Sequence, residues 1–141
     1  MKIARLLQLF FFLSIIIISS CSDNDEEFGD TSLISFEEAT FSEDQFIIYL
    51  TEDPNEKTFS FGAGTYNFTN TIPLADIENL TIKGAGIDET YFDFSNSAST
   101  SGEGIAAMDC SNLLFCGFTI QNTNGGNAIT ARNIKGLRID G

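Results

Sequence analysis

Asn79-Leu80-Thr81-Ile82-Lys83-Gly84-Ala85-Gly86 is the stretch that decides the fold of this chain. It returns in altered form as Gly117-Phe118-Thr119-Ile120-Gln121-Asn122 and as Gly136-Leu137-Arg138-Ile139-Asp140-Gly141. In each copy a short strand of alternating apolar residues is bounded by Gly or Asn. Ile82 and Ile120 are 38 residues apart, and Ile120 and Ile139 are 19 apart, so one step is twice the other. One strand in every repeat of about 20 residues predicts a solenoid.

The chain after residue 57 carries further short strands of the same kind. Apolar residues alternate over short runs, Gly, Asn, Asp and Ser interrupt them, and no helical periodicity is present. In a coil of parallel strands, equivalent positions stack one coil apart. We therefore expect three isoleucines to form one inward row: Ile82, Ile120 and Ile139. We also expect three asparagines to stack at a bend, where amide side chains satisfy free backbone groups: Asn79, Asn112 and Asn133.

A helix is expected ahead of these strands. Ser42-Glu43-Asp44-Gln45 has the pattern of a helix start, because Ser42 can accept from a backbone N–H and Gln45 can reach back. The residue before proline avoids the helical region, so Asp53-Pro54 ends the segment. Three side chains share one face, Phe46, Ile47 and Leu50, and Ile48 lies off it. This face is expected to cap the first coil, since a bare terminal coil exposes apolar side chains and strand edges.

Acidic residues are concentrated in one part of the chain. The 141 residues carry a net charge of −13, enough chain for one domain at most. Residues 23–56 contain twelve acids and no base, whereas eight acids face five bases from residue 57 onward. This balance argues against a nucleic-acid partner, which needs clustered Lys and Arg. The sequence has no His, the commonest general base, and no calcium-ligand spacing or phosphate loop, so we expect no cofactor and no metal.

The N-terminus has the form of an export signal. Lys2 and Arg5 precede an apolar run over residues 6–18, which is short for a membrane span. Ile18-Ser19-Ser20-Cys21 then resembles the lipobox of bacterial lipoproteins. The resemblance implies cleavage before Cys21, lipid attachment at Cys21 and anchoring in the outer membrane. The alternative is a signal peptide cut elsewhere, with an incidental cysteine.

An acidic segment follows the cysteine. Ser22-Asp23-Asn24-Asp25-Glu26-Glu27 resembles the surface-export signal of Bacteroidetes lipoproteins, which implies a position on the cell surface. The alternative is a plain solvated tether, because like charges extend a linker. The expected organisation is a lipoprotein signal peptide over residues 1–20, an acidic flexible tether over residues 21–35 and a β-helix over residues 36–141.

Three motifs together resemble a known family. Gly64-Thr65-Tyr66, then Leu80-Thr81-Ile82-Lys83-Gly84-Ala85-Gly86-Ile87-Asp88-Glu89-Thr90, then Gly117-Phe118-Thr119-Ile120-Gln121-Asn122-Thr123-Asn124-Gly125 are similar to the opening coils of right-handed parallel β-helix repeat proteins of the pectate-lyase-like superfamily. The resemblance implies an all-β, single-stranded solenoid, a right-handed parallel β-helix of about four coils with an N-terminal capping helix. Family members usually run longer, so it also implies the N-terminal part of a larger β-helix or a truncated reading frame.

The same resemblance supplies the expected substrate class. Pectate lyases and alginate epimerases act on polysaccharides, so we expect a surface-anchored module that interacts with carbohydrate. One alternative is a lyase- or epimerase-like enzyme whose catalytic coils lie beyond this chain. The other is a non-catalytic adhesive or structural fragment. The lack of His and of acidic ligand clusters argues against catalysis by this chain alone.

Charged side chains on the strands are the candidate saccharide contacts. Arg and carboxylate groups hydrogen-bond sugar hydroxyls and uronates, and Arg138 and Asp140 share one face of a strand. The alternative is solvated charge on outward positions. The candidates are Asp93, Arg132, Arg138 and Asp140.

A polar turn and a pair of cysteines each have two interpretations. Asn122-Thr123-Asn124-Gly125-Gly126-Asn127 is a polar turn that could contact a glycan, or it supplies the residues that a tight corner requires. Cys110 and Cys116 either form a disulfide, as an exported protein permits, or are two small buried residues of the coil interior.

Overall fold

The computed structural model describes residues 32–141, and this part of the chain is built mostly of short parallel strands. In chain order the elements are β1 (Ser32–Phe36), a 3₁₀ helix (Glu38–Thr40), α1 (Glu43–Glu52), β2 (Lys57–Phe61), β3 (Gly64–Asn67), β4 (Ile72–Ala75), β5 (Glu78–Lys83), β6 (Thr90–Asp93), β7 (Ile105–Met108), β8 (Ser111–Cys116), β9 (Thr119–Gln121), β10 (Ile129–Arg132) and β11 (Lys135–Asp140). No helix within residues 32–141 has the length and apolarity needed to cross a bilayer.

The strands form three sheets that the chain visits in turn. Sheet A contains β1, β2, β5, β8 and β11, sheet B contains β3, β6 and β9, and sheet C contains β4, β7 and β10. Every strand pairing within residues 32–141 is parallel, and each strand from β2 to β8 pairs with the strand that follows it by three in the chain. This arrangement is a solenoid with three strands in each coil, which confirms the predicted all-β, solenoid-like architecture.

The register of sheet A sets the lengths of the coils. Thr58 pairs with Thr81, Thr81 with Leu114, and Leu114 with Arg138, so successive coils are 23, 33 and 24 residues long. The middle coil is longer because two of its corners are longer, residues 84–89 between β5 and β6 and the extended corner of residues 94–104 between β6 and β7. The coil therefore does not repeat at the spacing of 19 residues on which the isoleucine row depended.

The predicted isoleucine row is wrong in one member. Ile82 and Ile139 do share a row of sheet A, with Phe115 between them. Ile120 lies instead in β9 of sheet B, where it pairs with Phe92. Strands of two different sheets carry similar sequences, Leu80-Thr81-Ile82 in β5 and Phe118-Thr119-Ile120 at the start of β9. Both must bury alternate apolar residues, so their likeness does not indicate that they stack.

Asparagine and aspartate side chains stack at the bends, but in two columns. Asn112 donates its amide Nδ2 to Asn79 Oδ1 at 2.8 Å, as predicted, whereas Asn133 is bonded to Asp109. Both columns hold left-handed backbone, which Asn and Asp tolerate better than other residues with a side chain. The φ angles are 56° at Asn79, 53° at Asn112 and 78° at Gly136 in one column, and 55° at Asp76, 55° at Asp109 and 52° at Asn133 in the other.

Aromatic rings fill the core along the axis of the solenoid. Phe36 stacks on Phe61 with ring centroids 4.9 Å apart, Phe61 meets Phe92 edge to face at 4.7 Å, and Phe92 stacks on Phe118 at 4.4 Å. Each of these rings belongs to a successive coil or to the segment before the first. Each aromatic pair contributes about 0.5–1.5 kcal/mol to stability beyond the burial of its surface. This column of rings therefore stabilises the packing of each coil against the next.

Helix α1 forms as the sequence predicts. Ser42 is its N-cap, and the hydroxyl Oγ accepts from Gln45 N–H at 3.4 Å. Phe46 and Leu50 are buried, whereas Ile48 is exposed, which confirms the predicted face. The ring of Phe46 packs edge to face against Phe59 and Phe61, at 5.4 Å from each centroid.

Strand β1 includes residues 32–35, the last part of the predicted tether. Ser32–Phe36 pairs in register with β2 at the edge of sheet A. The segment alternates as a strand should, because Leu33 is exposed whereas Phe36 is buried against Phe61. Five residues beside an acidic segment carry too few apolar positions for this alternation to stand out in the sequence.

Two glutamates satisfy backbone donors of the first coil. Glu38 Oε1 accepts from the N–H of Thr65 in β3 at 3.1 Å. Glu43 accepts from Thr69 N–H at 2.9 Å and from Asn70 N–H at 3.1 Å, in the corner after β3. The first coil has no preceding coil to supply carbonyl acceptors at these positions, so carboxylates take that role.

Replacing Gly84 by alanine tests how closely the coils approach at one corner. A Cβ at Gly84 would collide with the backbone carbonyl of Gly117, whereas a Cβ at Gly86 would lie 3.5 Å from the side chain of Glu89, an ordinary contact. We expect Gly84→Ala to lower the free energy of unfolding by about 1–3 kcal/mol, and Gly86→Ala to change it little. Denaturant unfolding of both variants measures this difference, and equal stability of the two would contradict the stacking of these corners.

Candidate functional site

The outward faces of sheets B and C differ in chemistry. Alternate residues of each strand point away from the core, so every coil contributes two outward side chains to each sheet. On sheet C these are mostly small or apolar: Pro73, Ala75, Ala106, Met108, Thr130 and Arg132. On sheet B they are polar with one aromatic ring, and we name this set the polar face: Thr65, Asn67, Tyr91, Asp93, Thr119 and Gln121.

Asp93 is the centre of the polar face. It lies at the end of β6 with only 8% of its surface exposed. Its Oδ1 accepts from Ser95 N–H at 2.8 Å, and its Oδ2 accepts from both Gln121 Nε2 and Asn122 Nδ2 at 2.7 Å. The carboxylate therefore joins the second coil to the third, and it is fully engaged within its own chain.

Hydrogen bonding holds Asp93 ionised. The pKa of Asp93 falls from 3.8 to about 2, first because the Ser95 side chain donates to the carboxylate. The Ser95 backbone N–H and the amides of Asn122 and Gln121 lower the pKa further, while burial opposes them. Donors stabilise the charged form of a carboxyl group, so the face carries a permanent negative charge at neutral pH.

The two amides beside Asp93 have fixed orientations. Gln121 and Asn122 both turn an N–H toward the same oxygen, Asp93 Oδ2. Each amide has its carbonyl oxygen opposite that nitrogen, and no donor within residues 32–141 reaches Gln121 Oε1 or Asn122 Oδ1. Each amide therefore keeps its carbonyl oxygen and its second N–H without a partner in the described residues, at one end of the polar face.

Tyr91 gives the polar face its aromatic ring. It pairs in register with Thr65 on one side and with Thr119 on the other. The residue is half-buried, and within residues 32–141 its ring packs on no other ring and its hydroxyl has no hydrogen-bond partner. The Thr119 hydroxyl, by contrast, donates to the carbonyl of Ile87 at 2.6 Å. Tyr91 is thus a partly exposed aromatic residue between two coils, whose hydroxyl has no hydrogen bond in the described part of the chain.

The four predicted contacts do not form one surface. Asp93 lies on sheet B, Arg132 ends β10 of sheet C, and Arg138 and Asp140 lie in β11 of sheet A. Only the last two meet, as their spacing predicted, with Arg138 Nη2 at 2.6 Å from Asp140 Oδ2. Cys21, the predicted site of lipid attachment, lies outside the described residues.

The polar turn at residues 122–127 borders the polar face. Asn122 bonds to Asp93, and Asn124 donates Nδ2 to the carbonyl of Ser97 at 2.8 Å, in the extended corner of the coil before. Asn124 therefore fits the second interpretation of this turn, in which its residues stabilise a tight corner. Asn122 belongs to the same corner and also borders the polar face through its bond to Asp93.

The cysteine alternatives are resolved for Cys110. It is a free thiol, buried at the corner between sheets C and A, so no disulfide joins it to Cys116. Within residues 32–141, no three carboxylate, thiol or imidazole side chains come together as metal ligands would.

Sequence reasoning identified Asp93 but missed Tyr91, Gln121 and Asn122 as its neighbours. Tyr91 and Asp93 alternate within one strand, which the sequence does show. Their relation to Gln121 follows only from the pairing of β6 with β9. That pairing depends on the length of the extended corner, for which the sequence has no periodic signal.

The network around Asp93 makes a pH-dependent prediction. Because its folded-state pKa is depressed, its contribution to stability is present above pH 3.8 and is lost as the pH falls toward about 2. We expect Asp93→Asn to lower the free energy of unfolding at pH 7. At about pH 2, we expect the variant to be as stable as the unchanged protein. The control is Asp88→Asn, an exposed residue with no bonded side-chain partner within residues 32–141.

Denaturant unfolding at several pH values between 2 and 7 measures the free energy of unfolding of both variants, because carboxyl groups titrate within this range. A difference in the free energy of unfolding between Asp93→Asn and the unchanged protein that stays constant over this pH range would contradict the stabilising role of the ionised Asp93.

Comparison with known proteins assigns no family to this chain. No protein-family model, no curated protein and no solved structure matches it. The likeness to pectate-lyase-like proteins therefore rests on the three sequence motifs, and the parallel three-sheet coil rests on the strand pairing itself.

Proposed function

We propose that this protein is a surface-anchored lipoprotein whose solenoid is a carbohydrate-interacting module, and that the polar face of sheet B is the binding surface. The observation that carries the proposal is the combination on that face of Tyr91 with two oriented amides beside Asp93. No such combination of ring and fixed amides lies among the outward positions of sheet C.

The chemistry of the polar face suits a sugar. A saccharide presents hydroxyl groups, which need acceptors and donors of fixed direction, and apolar C–H faces, which pack against aromatic rings. Gln121 and Asn122 supply acceptors, and Tyr91 supplies both a ring and a phenolic hydroxyl. Since the coils hold these groups on rigid strands, a ligand has to order few side chains when it binds.

The scaffold that we propose is a right-handed β-helix with α1 as its cap, as the family resemblance implies. Crossover connections between parallel strands are right-handed in about 98% of cases, which supports this hand for the coil. The packing of Phe46 against Phe59 and Phe61 supports the capping role, because it shields rings of the first coil. A capped solenoid presents its sheet faces, rather than its apolar end, to other molecules.

The cellular location that we propose follows from the N-terminal sequence. Cys21 after small residues supports lipidation, and the acidic residues after it support export to the outer surface. A carbohydrate-interacting module at that position faces the glycans outside the cell. Lipid chains hold a protein at a membrane through about 0.8 kcal/mol for each buried CH₂ group, so more than one chain is needed for stable anchoring.

Removal of the ring of Tyr91 tests the binding face. With a ligand selected from a glycan array, we expect Tyr91→Ala to weaken binding at least about tenfold, which corresponds to about 1.4 kcal/mol. The matched control is Tyr49→Ala, because Tyr49 is also a partly exposed tyrosine but lies on α1. Titration calorimetry on residues 22–141 measures both variants. Equal losses in the two, or none in either, would move the binding surface away from sheet B.

Substitution of Cys21 tests the anchor. In a Bacteroidetes host, we expect the unchanged precursor to incorporate radiolabelled palmitate and Cys21→Ala to incorporate none. Replacement of the acidic residues at positions 23, 25, 26 and 27 by alanine is expected to leave the label but remove sensitivity to protease added outside the cells. Labelling of Cys21→Ala would contradict lipidation at this cysteine, and unchanged protease sensitivity would contradict the export signal.

A further inference from the structure

We propose that the polar face selects neutral saccharides and disfavours uronate-containing ones. This inference rests on the proposed function and goes further, since it assigns the charge class of the ligand. It also departs from what the family resemblance implies, because pectate and alginate are polymers of uronates. The reasons are the direction of the hydrogen-bonding groups on the face and the placement of the basic residues.

The amides beside Asp93 keep both acceptors and donors for a ligand. Gln121 and Asn122 each use one N–H on Asp93, which leaves the carbonyl oxygen and the second N–H of each amide open to a ligand. A hydroxyl both donates and accepts, so it can bond to either group. A carboxylate only accepts, so it can use the N–H groups but meets oxygen against oxygen at Gln121 Oε1 and Asn122 Oδ1. The arrangement therefore satisfies a hydroxyl group more fully than a carboxylate.

The two amides are held by one common acceptor. Both amide nitrogens lie 2.7 Å from one atom, Asp93 Oδ2, so the two nitrogens converge on a single point. Gln121 and Asn122 are also adjacent in the chain, at the end of β9. Asp93 acts as the positioning residue, because it orients both amides and has its own oxygens occupied.

Basic residues are absent from sheet B. Residues 32–141 contain five, and all of them lie in strands of the other two sheets: Lys57, Lys83, Lys135 and Arg138 in sheet A and Arg132 in sheet C. Two of the five are already in ion pairs, Lys57 with Asp53 and Arg138 with Asp140. A uronate on the polar face would therefore find no cation on that sheet to balance its charge.

The charges that do lie on sheet B are negative. Asp93 is ionised at neutral pH, and Glu38 lies at the edge of the same sheet, where its carboxylate accepts from Thr65 N–H. Like charges repel, and the repulsion grows where water is partly excluded. A neutral sugar encounters no such penalty, and its binding is expected to depend little on salt.

A glycan array that displays neutral and uronate-containing oligosaccharides tests the inference, with residues 22–141 as the probe. We expect hits among the neutral set alone. For each acidic compound on the array, the matched control is the same compound with its carboxyl groups reduced to alcohols, and we expect reduction to increase binding at least about tenfold. Stronger binding to an acidic compound than to its reduced form overturns this inference and leaves the proposed function standing. An array without any hit overturns the proposed function itself.

Two variants locate the selectivity. Gln121→Lys replaces an acceptor by a cation, so we expect it to lose at least about tenfold in affinity for the neutral ligand and to shift its preference toward the acidic form. Thr58→Lys adds the same charge on the outer face of sheet A and is expected to preserve both affinities. Asn122→Ala, which adds no charge, is expected to weaken neutral binding as well. Circular dichroism checks that each variant is folded. An unchanged preference in folded Gln121→Lys would contradict the role of these acceptors.

Discussion

The in-register parallel pairing of each strand with its counterpart one coil away is the constraint on which the other features depend. It places equivalent positions beside each other, so Tyr66, Phe92 and Ile120 form one row of sheet B. The same pairing stacks Asn79 on Asn112 at a bend where both residues adopt left-handed backbone. Core, bends and outer faces are therefore columns, and each side chain is stabilised chiefly by its equivalents in the coils before and after it.

A solenoid built in this way must satisfy the donors of its first coil without a preceding coil. The segment before β2 does so with three different devices. Strand β1 pairs with β2 on sheet A, Glu38 accepts from Thr65 on sheet B, and Glu43 accepts from the corner that follows. Part of the acidity of this segment thus serves the fold, because the carboxylates of Glu38 and Glu43 accept from backbone N–H groups of the first coil. Phe46 completes the arrangement by packing on the rings of the first coil.

The sequence was sufficient for the local features and insufficient for the pairing of strands. Alternation and turn residues located β5, β6 and α1 because these signals lie within a few neighbouring residues. Ile120 was assigned to the wrong row because strands of different sheets obey the same rule of alternate burial. Asp93 was recognised as a polar strand residue, but its contacts with Gln121 and Asn122 span 28 and 29 residues of chain. Such a contact depends on the exact length of the corner between them, which no repeat in the sequence specifies.

The corners differ in how much chain they hold. Between sheets C and A every corner is two residues long, at 76–77, 109–110 and 133–134, and its second residue points inward, as buried Ile77 and Cys110 show. Between sheets B and C the corners run over residues 68–71, 94–104 and 122–128. The edge between sheets B and C therefore accepts changes in length. A peptide grafted into the extended corner would emerge beside the polar face, and a solenoid of this kind can acquire a new recognition loop without altering its core.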